Sequence, residues 1–397
     1  MTATFYTNLR DARGTAVSVL CRDGRISAIA PVTAAAGVGS VDRVVDGEGR
    51  LLMPAFVEPH VHLDKTLWGE PYLRGTSWPS LRGYIDNERR VLAAQTTPIT
   101  TRAGRLLERM LAFGTVSVRS HIDIAPDIGV KHVEALMELR EIWRGRVDLQ
   151  FVAFPQTGLL CRPGTTELMR QAMQMGVETV GGLDPAGIDG DPDGQLRFVF
   201  DLAQEFGAGV DIHLHDKGEL GAWQIERIAD YTAASGMAGK VMISHAYCLG
   251  MVSEARLATI GRRLADLDIS LMTSAPAETP IPPVSPLTEM GVTVCCGSDG
   301  IRDAWSPVGN GDMLERAFFV AYKYDWVSDD EFALALACAT DNAARAIGLR
   351  EYGLQPGCRA DFLMVDAENL GDALCRRPLA RRVVREGRLV ADDGRLV

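Results

Sequence analysis

The sequence predicts an α/β fold, a (β/α)8 TIM-like barrel accompanied by a small β domain formed by both termini. Three observations predict it: eight short apolar, β-branched runs, helical periodicity between them, and ends that are rich in alternating runs but poor in helix. The eight runs are residues 51–62, 115–124, 148–156, 179–184, 210–215, 240–245, 269–274 and 292–299. From the second onward they recur at roughly 23–33 residues, room for one strand, one helix and two short loops. Only the first connection is much longer.

Residues 195–206 typify the intervening helices, with Leu196, Val199, Phe200, Ala203 and Phe206 on one face and Gly207 as a stop. Such a helix covers the outside of a barrel. Residues 1–50 hold short alternating strands with turn signals at 22–24 and at Asp46-Gly47. The tail repeats this style at 357–366 and 382–390, with turns at Glu386-Gly387 and Asp393-Gly394. The expected organisation is therefore a barrel over 53–349 and a small β domain assembled from 1–52 and 350–397.

With 397 residues, 47% hydrophobic and 23% charged, the composition is that of a globular chain and excludes disorder, collagen and coiled coil. A formal net charge of -11 argues against a nucleic-acid partner, which would require a basic face. A small-molecule ligand is the expectation, with a homo-oligomer left open. The start has neither a basic nor an apolar leader-like region, and apolar runs such as 332–339 are too short to span a bilayer, so no membrane partner and a cytoplasmic location are expected. Eight cysteines without a CxxC read as small core residues rather than a disulfide framework or zinc ribbon. Histidine and lysine are scarce, seven and five, and four of the seven histidines fall in two H-x-H pairs.

His60-Val-His62 closes the first predicted strand, and residues i and i+2 on a strand share a face, so both imidazoles can address one metal ion from the barrel mouth. His213, His245 and Asp299 end the fifth, sixth and eighth strands on the same rim. His60, His62, His213 and Asp299 supply a mononuclear shell, and His245 is left to hold a developing oxyanion. Asp299 can also accept a proton from the attacking water. Departure of an amine needs a further acid, and His215 or Asp216 should carry that proton. Lys65, three residues past His62, and Gln156, at the end of the third strand, read as pocket groups. Trp305 is a pocket wall or core packing. His121 either enters the mouth or is a satisfied structural histidine, while His132, in a helical stretch, reads as solvated. Arg302 and Asp303 form a pair orienting the Asp299 loop or are exposed charges.

Phe56-Val-Glu-Pro-His-Val-His-Leu-Asp-Lys65 and Phe151-Val-Ala-Phe-Pro-Gln156 resemble motifs of the cytosine deaminase branch of the amidohydrolase superfamily, and the 357–366 run resembles that superfamily's C-terminal β segment. Gly181-Gly-Leu-Asp-Pro-Ala186, Asp211-Ile-His-Leu-His-Asp216, Ser244-His-Ala-Tyr-Cys248, Ser298-Asp-Gly-Ile-Arg-Asp-Ala-Trp305 and Gly309-Asn-Gly-Asp-Met313 resemble a subgroup that removes alkylamines from s-triazine rings. The resemblance implies a catalytic Zn2+, or Fe2+, on His60, His62, His213 and Asp299, with His245 beside it. It further implies that Lys65 and Gln156 contact the ring and that Trp305 walls it. Two positions depart from these patterns: Asp216 stands where cytosine deaminases usually carry Glu, and Gly300 stands where an amide side chain is expected, leaving room for a bulkier ring substituent. The expected function is metal-dependent hydrolytic removal of an exocyclic amino or alkylamino group from a cytosine-like pyrimidine or s-triazine. A hydantoinase-type cyclic amide hydrolase is the alternative, although such relatives use a lysine at the fourth strand, and none occurs between Lys131 and Lys217. A metal-free scaffold on the same fold would show lost ligands, and none is missing.

Overall fold

Four strands, β1 (Ala3–Arg10), β2 (Ala16–Arg22), β3 (Arg25–Pro31) and β4 (Arg43–Pro54), begin the chain in a computed structural model that describes residues 3–31, 40–75, 77–78 and 80–397. Eight parallel strands follow: β5 (Phe56–Val61), β6 (Thr115–Asp123), β7 (Asp148–Phe154), β8 (Thr179–Leu183), β9 (Gly209–Leu214), β10 (Val241–His245), β11 (Ser270–Thr273) and β12 (Val294–Cys296). They lie side by side in sequence order. β13 (Phe362–Val365), β14 (Arg381–Arg385), β15 (Arg388–Asp392) and β16 (Arg395–Leu396) then join the first four in one sheet of order β16-β15-β14-β13-β4-β1-β2-β3. A barrel with a second sheet drawn from both termini is the fold class the sequence predicts.

The helix Pro192–Phe206 illustrates how the barrel is covered. Asp191 caps it by accepting from the Gly194 N–H, Pro192 occupies its first turn where no donor is needed, and Gly207 ends it at φ 64°. Leu196, Val199, Phe200 and Ala203 are buried as the periodicity requires. In the terminal sheet, three two-residue turns, Asp23-Gly24, Glu386-Gly387 and Asp393-Gly394, all have positive φ at both positions, the geometry that tight hairpins between twisted strands demand.

Two expectations need correction. The predicted first strand, 51–62, is two strands in two sheets. Leu51–Met53 and Phe56–Val57 are all buried and read as one apolar run, but Pro54 ends β4, and at the next two residues Ala55 donates to the Asp361 carbonyl while Phe56 donates to that of Gly114. Asp46-Gly47, expected to reverse the chain, lies inside β4 at an irregularity in its pairing with β1, where Glu48 and Gly49 take positive φ. The Asp46 carboxylate holds that bulge by accepting from the Glu48 N–H at 2.8 Å. Among the described residues, no helix is long and apolar enough to cross a membrane.

Arg381 fastens the terminal sheet to the barrel. Its guanidinium is fully buried, pairs with both Asp312 oxygens at 2.7 Å, and donates to the Phe113 carbonyl at 3.0 Å. Asp312 in turn caps the helix Met313–Lys323. Removing one partner of a buried, hydrogen-bonded pair leaves an uncompensated charge, a cost of about 3–5 kcal/mol. Arg381→Leu is therefore expected to lower stability by that order in equilibrium denaturation, and an unchanged midpoint would contradict this clamp.

Candidate active site

The barrel closes where β12 meets β5. The Asp299 N–H donates to the His60 carbonyl at 2.9 Å, and the buried Glu58 carboxylate accepts from the His60 N–H at 3.0 Å and from the Ser298 N–H at 3.0 Å. Burial pushes Glu58 up to about 7 against the pull of those donors. This seam brings the first and eighth strand ends to one level, with His213 and His245 at the ends of β9 and β10 beside them. Three residues at the rim, Asp184, His245 and Asp299, take positive φ without being glycine, at 33°, 73° and 60°. Such backbone is costly, and it is held here at strand ends where functional side chains leave the sheet.

His60, His62 and His213 can each bring a ligand atom within 4.8 Å of the others, and His60, His245 and Asp299 form a second such group. Asp299 Oδ1 lies 3.3 Å from His62 Nε2 and 3.8 Å from His60 Nε2. The hydrogen bonds define which nitrogen of His60 is bare. Ser244 Oγ–H donates to Asp211 Oδ1 at 2.7 Å, so the 2.9 Å contact between Ser244 Oγ and His60 Nδ1 needs the proton on Nδ1 and leaves Nε2 as a lone pair. His60 Nε2 and both nitrogens of His213 are buried without a hydrogen-bond partner among the described residues. Burial, reinforced by the crowding of imidazoles, pushes His213 well below the ordinary range, and burial does the same to His60 despite Asp299. Neutral, unpartnered imidazoles beside a carboxylate held well below its usual range by His62 and its neighbours, against burial, are the donor set that a divalent cation requires.

A cavity of about 200 Å³ opens over this cluster, the size for one small ring. His62, His213, His245 and Asp299 form its floor, and Lys65, Gln156, Phe154, His215 and Trp305 line its walls. His215 Nδ1 donates to Asp184 Oδ2 at 2.7 Å, which leaves Nε2 for the cavity. Burial pushes His215 down, but Asp184 pulls it above its ordinary value. His245 is pushed down to about 3 by burial and by His215, so it is a neutral imidazole, and Tyr247 Oη lies 3.4 Å from its Nδ1. Asp216 does not line the cavity. Its Oδ2 accepts from the Gly187 N–H and from Gln224 Nε2, both at 2.9 Å, so of the two shuttle candidates the structure brings only His215 to the mouth.

Several other expectations change. Lys65 Nζ donates to Gln156 Oε1 at 2.5 Å and stands 2.9 Å from Asp123 Oδ1 and 3.4 Å from Glu88 Oε2. One Lys65 N–H is thus taken by Gln156 and the ammonium is drawn toward two carboxylates at the cavity wall, while Gln156 keeps its Nε2 to offer. Gly300 lines the cavity, and the direction in which its side chain would point is filled by Asp303, whose Oδ2 would lie 2.2 Å from a Cβ there. Asp303 is not paired with Arg302; it accepts from the Trp305 and Ser306 N–H groups at 2.8 and 2.7 Å, while Arg302 reaches the Glu70 carbonyl. His132 is buried, its Nδ1 2.8 Å from Asp64 Oδ2, because its helix Lys131–Ile142 packs that face on the barrel. His121 lies inside the barrel, its ring 3.9 Å from that of His60 and its Nε2 3.6 Å from Asp211 Oδ2, and neither of its nitrogens has a hydrogen-bond partner among the described residues. Sequence reading missed Glu88, Asp123, Tyr247 and Asp184. Asp184 and Asp123 stand at the ends of β8 and β6, and Asp184 and Tyr247 lie inside quoted motifs, so these three carried a positional signal and Glu88 did not.

A family model described as the amidohydrolase family matches residues 100–395. N-isopropylammelide isopropyl amidohydrolase of Pseudomonas sp. (strain ADP) is 30% identical over 366 residues, 89% of each chain. The crystal structure of N-isopropylammelide isopropylaminohydrolase from Burkholderia multivorans superposes with a TM-score of 0.95 at 41% identity, covering 100% of both chains. That of 5-methylcytosine deaminase from Klebsiella pneumoniae, liganded with 5-fluorocytosine, superposes at 0.84 with 29% identity, covering 98% of this chain and 97% of the other.

The Asp184 contact makes His215 the more basic of the two stacked imidazoles, His215 and His245, whose centroids are 4.5 Å apart. Asp184→Asn keeps the shape and removes the charge, so the His215 titration followed by NMR is expected to move to lower pH. A titration unchanged by this substitution would show that Asp184 does not set the protonation of His215.

Proposed function

The chain belongs to the amidohydrolase family, and on that premise we propose that it hydrolytically removes an exocyclic amino or alkylamino group from a cytosine-like pyrimidine or s-triazine ring. The observation that carries this reading is the clustering of His60, His62 and His213, with Asp299 beside the first two, at a ring-sized cavity lined by Gln156 and by His215, which Asp184 holds. The unpartnered His60 and His213 nitrogens support His60, His62, His213 and Asp299 as the holders of one divalent cation, Zn2+ or Fe2+. When bound, that cation supplies Lewis acidity and brings the pKa of water to about 7, so that a nucleophile is available at neutral pH.

The protein's own groups then divide the work. Asp299, ionised at the mouth, accepts the proton that the attacking water gives up. Water oxygen bonds to the amidine carbon of the ring, and the electron pair of its C=N bond moves onto nitrogen. Neutral His245, with the Tyr247 hydroxyl at Nδ1, carries its proton on Nε2 and donates a hydrogen bond to the oxygen that adds to the ring. His215, kept protonated by Asp184, gives its Nε2 proton to the exocyclic nitrogen; the pair on the ring nitrogen re-forms the C=N bond as the C–N bond breaks, ammonia or an alkylamine leaves, and the proton held by Asp299 passes back to His215. Gln156 Nε2 donates to a ring acceptor and fixes the register of the ring. The cyclic amide hydrolase reading has no support at the end of β8, where Asp184 is committed to His215 and no lysine stands.

Amine release assayed across amino-substituted pyrimidines, amino- and alkylamino-s-triazines and hydantoins tests the reading. Release from the first two groups is expected, with His215→Asn slowing turnover by about 10²–10⁴ and Asp216→Asn staying within about tenfold. Activity confined to hydantoin ring opening would overturn it, as would full turnover in His215→Asn with metal content unchanged.

A further inference from the structure

One wall of the cavity is built by a helix to which the chemistry above assigns nothing. Leu81–Ala93 lies in the long connection between β5 and β6, capped by Ser80, whose Oγ accepts from the Gly83 N–H at 3.2 Å. Tyr84 and Glu88 are four residues apart and therefore on one helix face, and both meet Trp305. Tyr84 stacks on the indole with centroids 5.3 Å apart and planes at 24°, and Trp305 Nε1–H donates to Glu88 Oε2 at 2.5 Å. Asn87 Nδ2 donates to the Ala304 carbonyl at 3.3 Å, fastening the helix to the loop that carries Trp305.

Glu88 is fully buried and yet lines the cavity. Its two oxygens are not equivalent. Oε2 faces the indole N–H and the Lys65 ammonium, and since neither partner can accept, this oxygen is the acceptor. Oε1 is buried with no hydrogen-bond partner among the described residues. A buried carboxyl oxygen left alone is costly, a penalty that a bound molecule in the cavity can relieve. Burial pushes Glu88 up, Lys65 pulls it back and Asp123 pushes it up again, to about 8. Burial thus favours the acid form, and because Oε2 is occupied by donors the place for its proton is Oε1.

We infer that Glu88 is a specificity-determining residue: its Oε1–H donates a hydrogen bond to an oxo oxygen of the ring, beside the Gln156 amide, while Lys65 holds both groups from behind. The inference rests on the aminohydrolase reading above and narrows its substrate to oxo-substituted rings with acceptors on the edge facing this wall. Two donors, Gln156 Nε2 and Glu88 Oε1, read that edge. A ring with an amino group in place of the oxo oxygen would set donor against donor there and leave polar groups buried and unpaired, which a site of this kind rejects strongly.

The test compares amine release from oxo-substituted aminopyrimidines and s-triazines with release from the same rings bearing an amino group in place of the oxo oxygen. The wild-type protein is expected to favour the oxo rings in kcat/KM by at least about 100-fold, and Glu88→Ala to reduce that ratio by about tenfold or more with metal content unchanged. Glu88→Gln should keep the ratio within about fivefold, because its amide oxygen can take the indole N–H while its nitrogen donates from the place of Oε1. A Glu88→Ala variant that slows both substrate classes equally would overturn the inference, leaving Glu88 a support for Trp305. A Glu88→Gln variant that loses the ratio would overturn it too, and that variant decides the matter alone if Glu88→Ala does not fold. A wild-type protein that releases amine from none of these rings would instead remove the aminohydrolase reading and this inference with it.

Discussion

The hydrogen bond from the Asp299 N–H to the His60 carbonyl closes the barrel, and the site exists only where that closure is made. It sets the last strand against the first at a level where His60, His62 and Asp299 face one point. The approach is close: a Cβ at Gly297 would lie 2.8 Å from the His60 Cβ and 2.9 Å from its carbonyl oxygen, so only glycine permits it. Glu58 ties the same seam by accepting backbone N–H groups from both sides. The seam therefore joins residues some 240 positions apart in sequence and makes a ligand set out of side chains that no local segment could assemble.

Charge buried around the cavity is poorly explained as a source of stability. Lys65, Glu88 and Asp123 are fully or almost fully buried, and Arg89 approaches Asp123 at 3.2 Å. Desolvating such groups offsets most of their mutual attraction, so apolar residues of similar volume would do as well for folding. What the network does is fix orientation. Lys65 turns the Gln156 amide so that its nitrogen is free to donate, and Glu88 holds the indole of Trp305. The same logic applies at the other wall, where Asp184 accepts from the His215 and Asp216 backbone as well as from the His215 ring.

The fold is legible because period-2 apolar runs and helical faces repeat along the barrel, and the residues that cluster at the mouth are legible because strand ends point to one rim. His60, His62, His213 and Asp299 follow from that rule alone. Glu88 does not, because it sits on a helix in a long connection and reaches the cavity only through the packing of Tyr84 and Asn87 against the 304–305 loop. Asp216 misled for a related reason: it follows the strand end, where parity no longer fixes direction, and it serves the Gly187 loop. Lys65 was placed correctly in the cavity, but position says nothing about which of its donors are already taken. The break at Pro54 was hidden by continuous hydrophobicity, since both sheets bury the chain that passes between them.

The central claim is that these strand ends form one mononuclear metal centre. X-ray absorption spectroscopy of protein purified without added metal, combined with metal analysis, tests it most directly. The account predicts close to one equivalent of a divalent ion in a nitrogen- and oxygen-only shell that is lost in His213→Ala. Two equivalents with a metal–metal scattering path, or one equivalent retained unchanged in that variant, would contradict it.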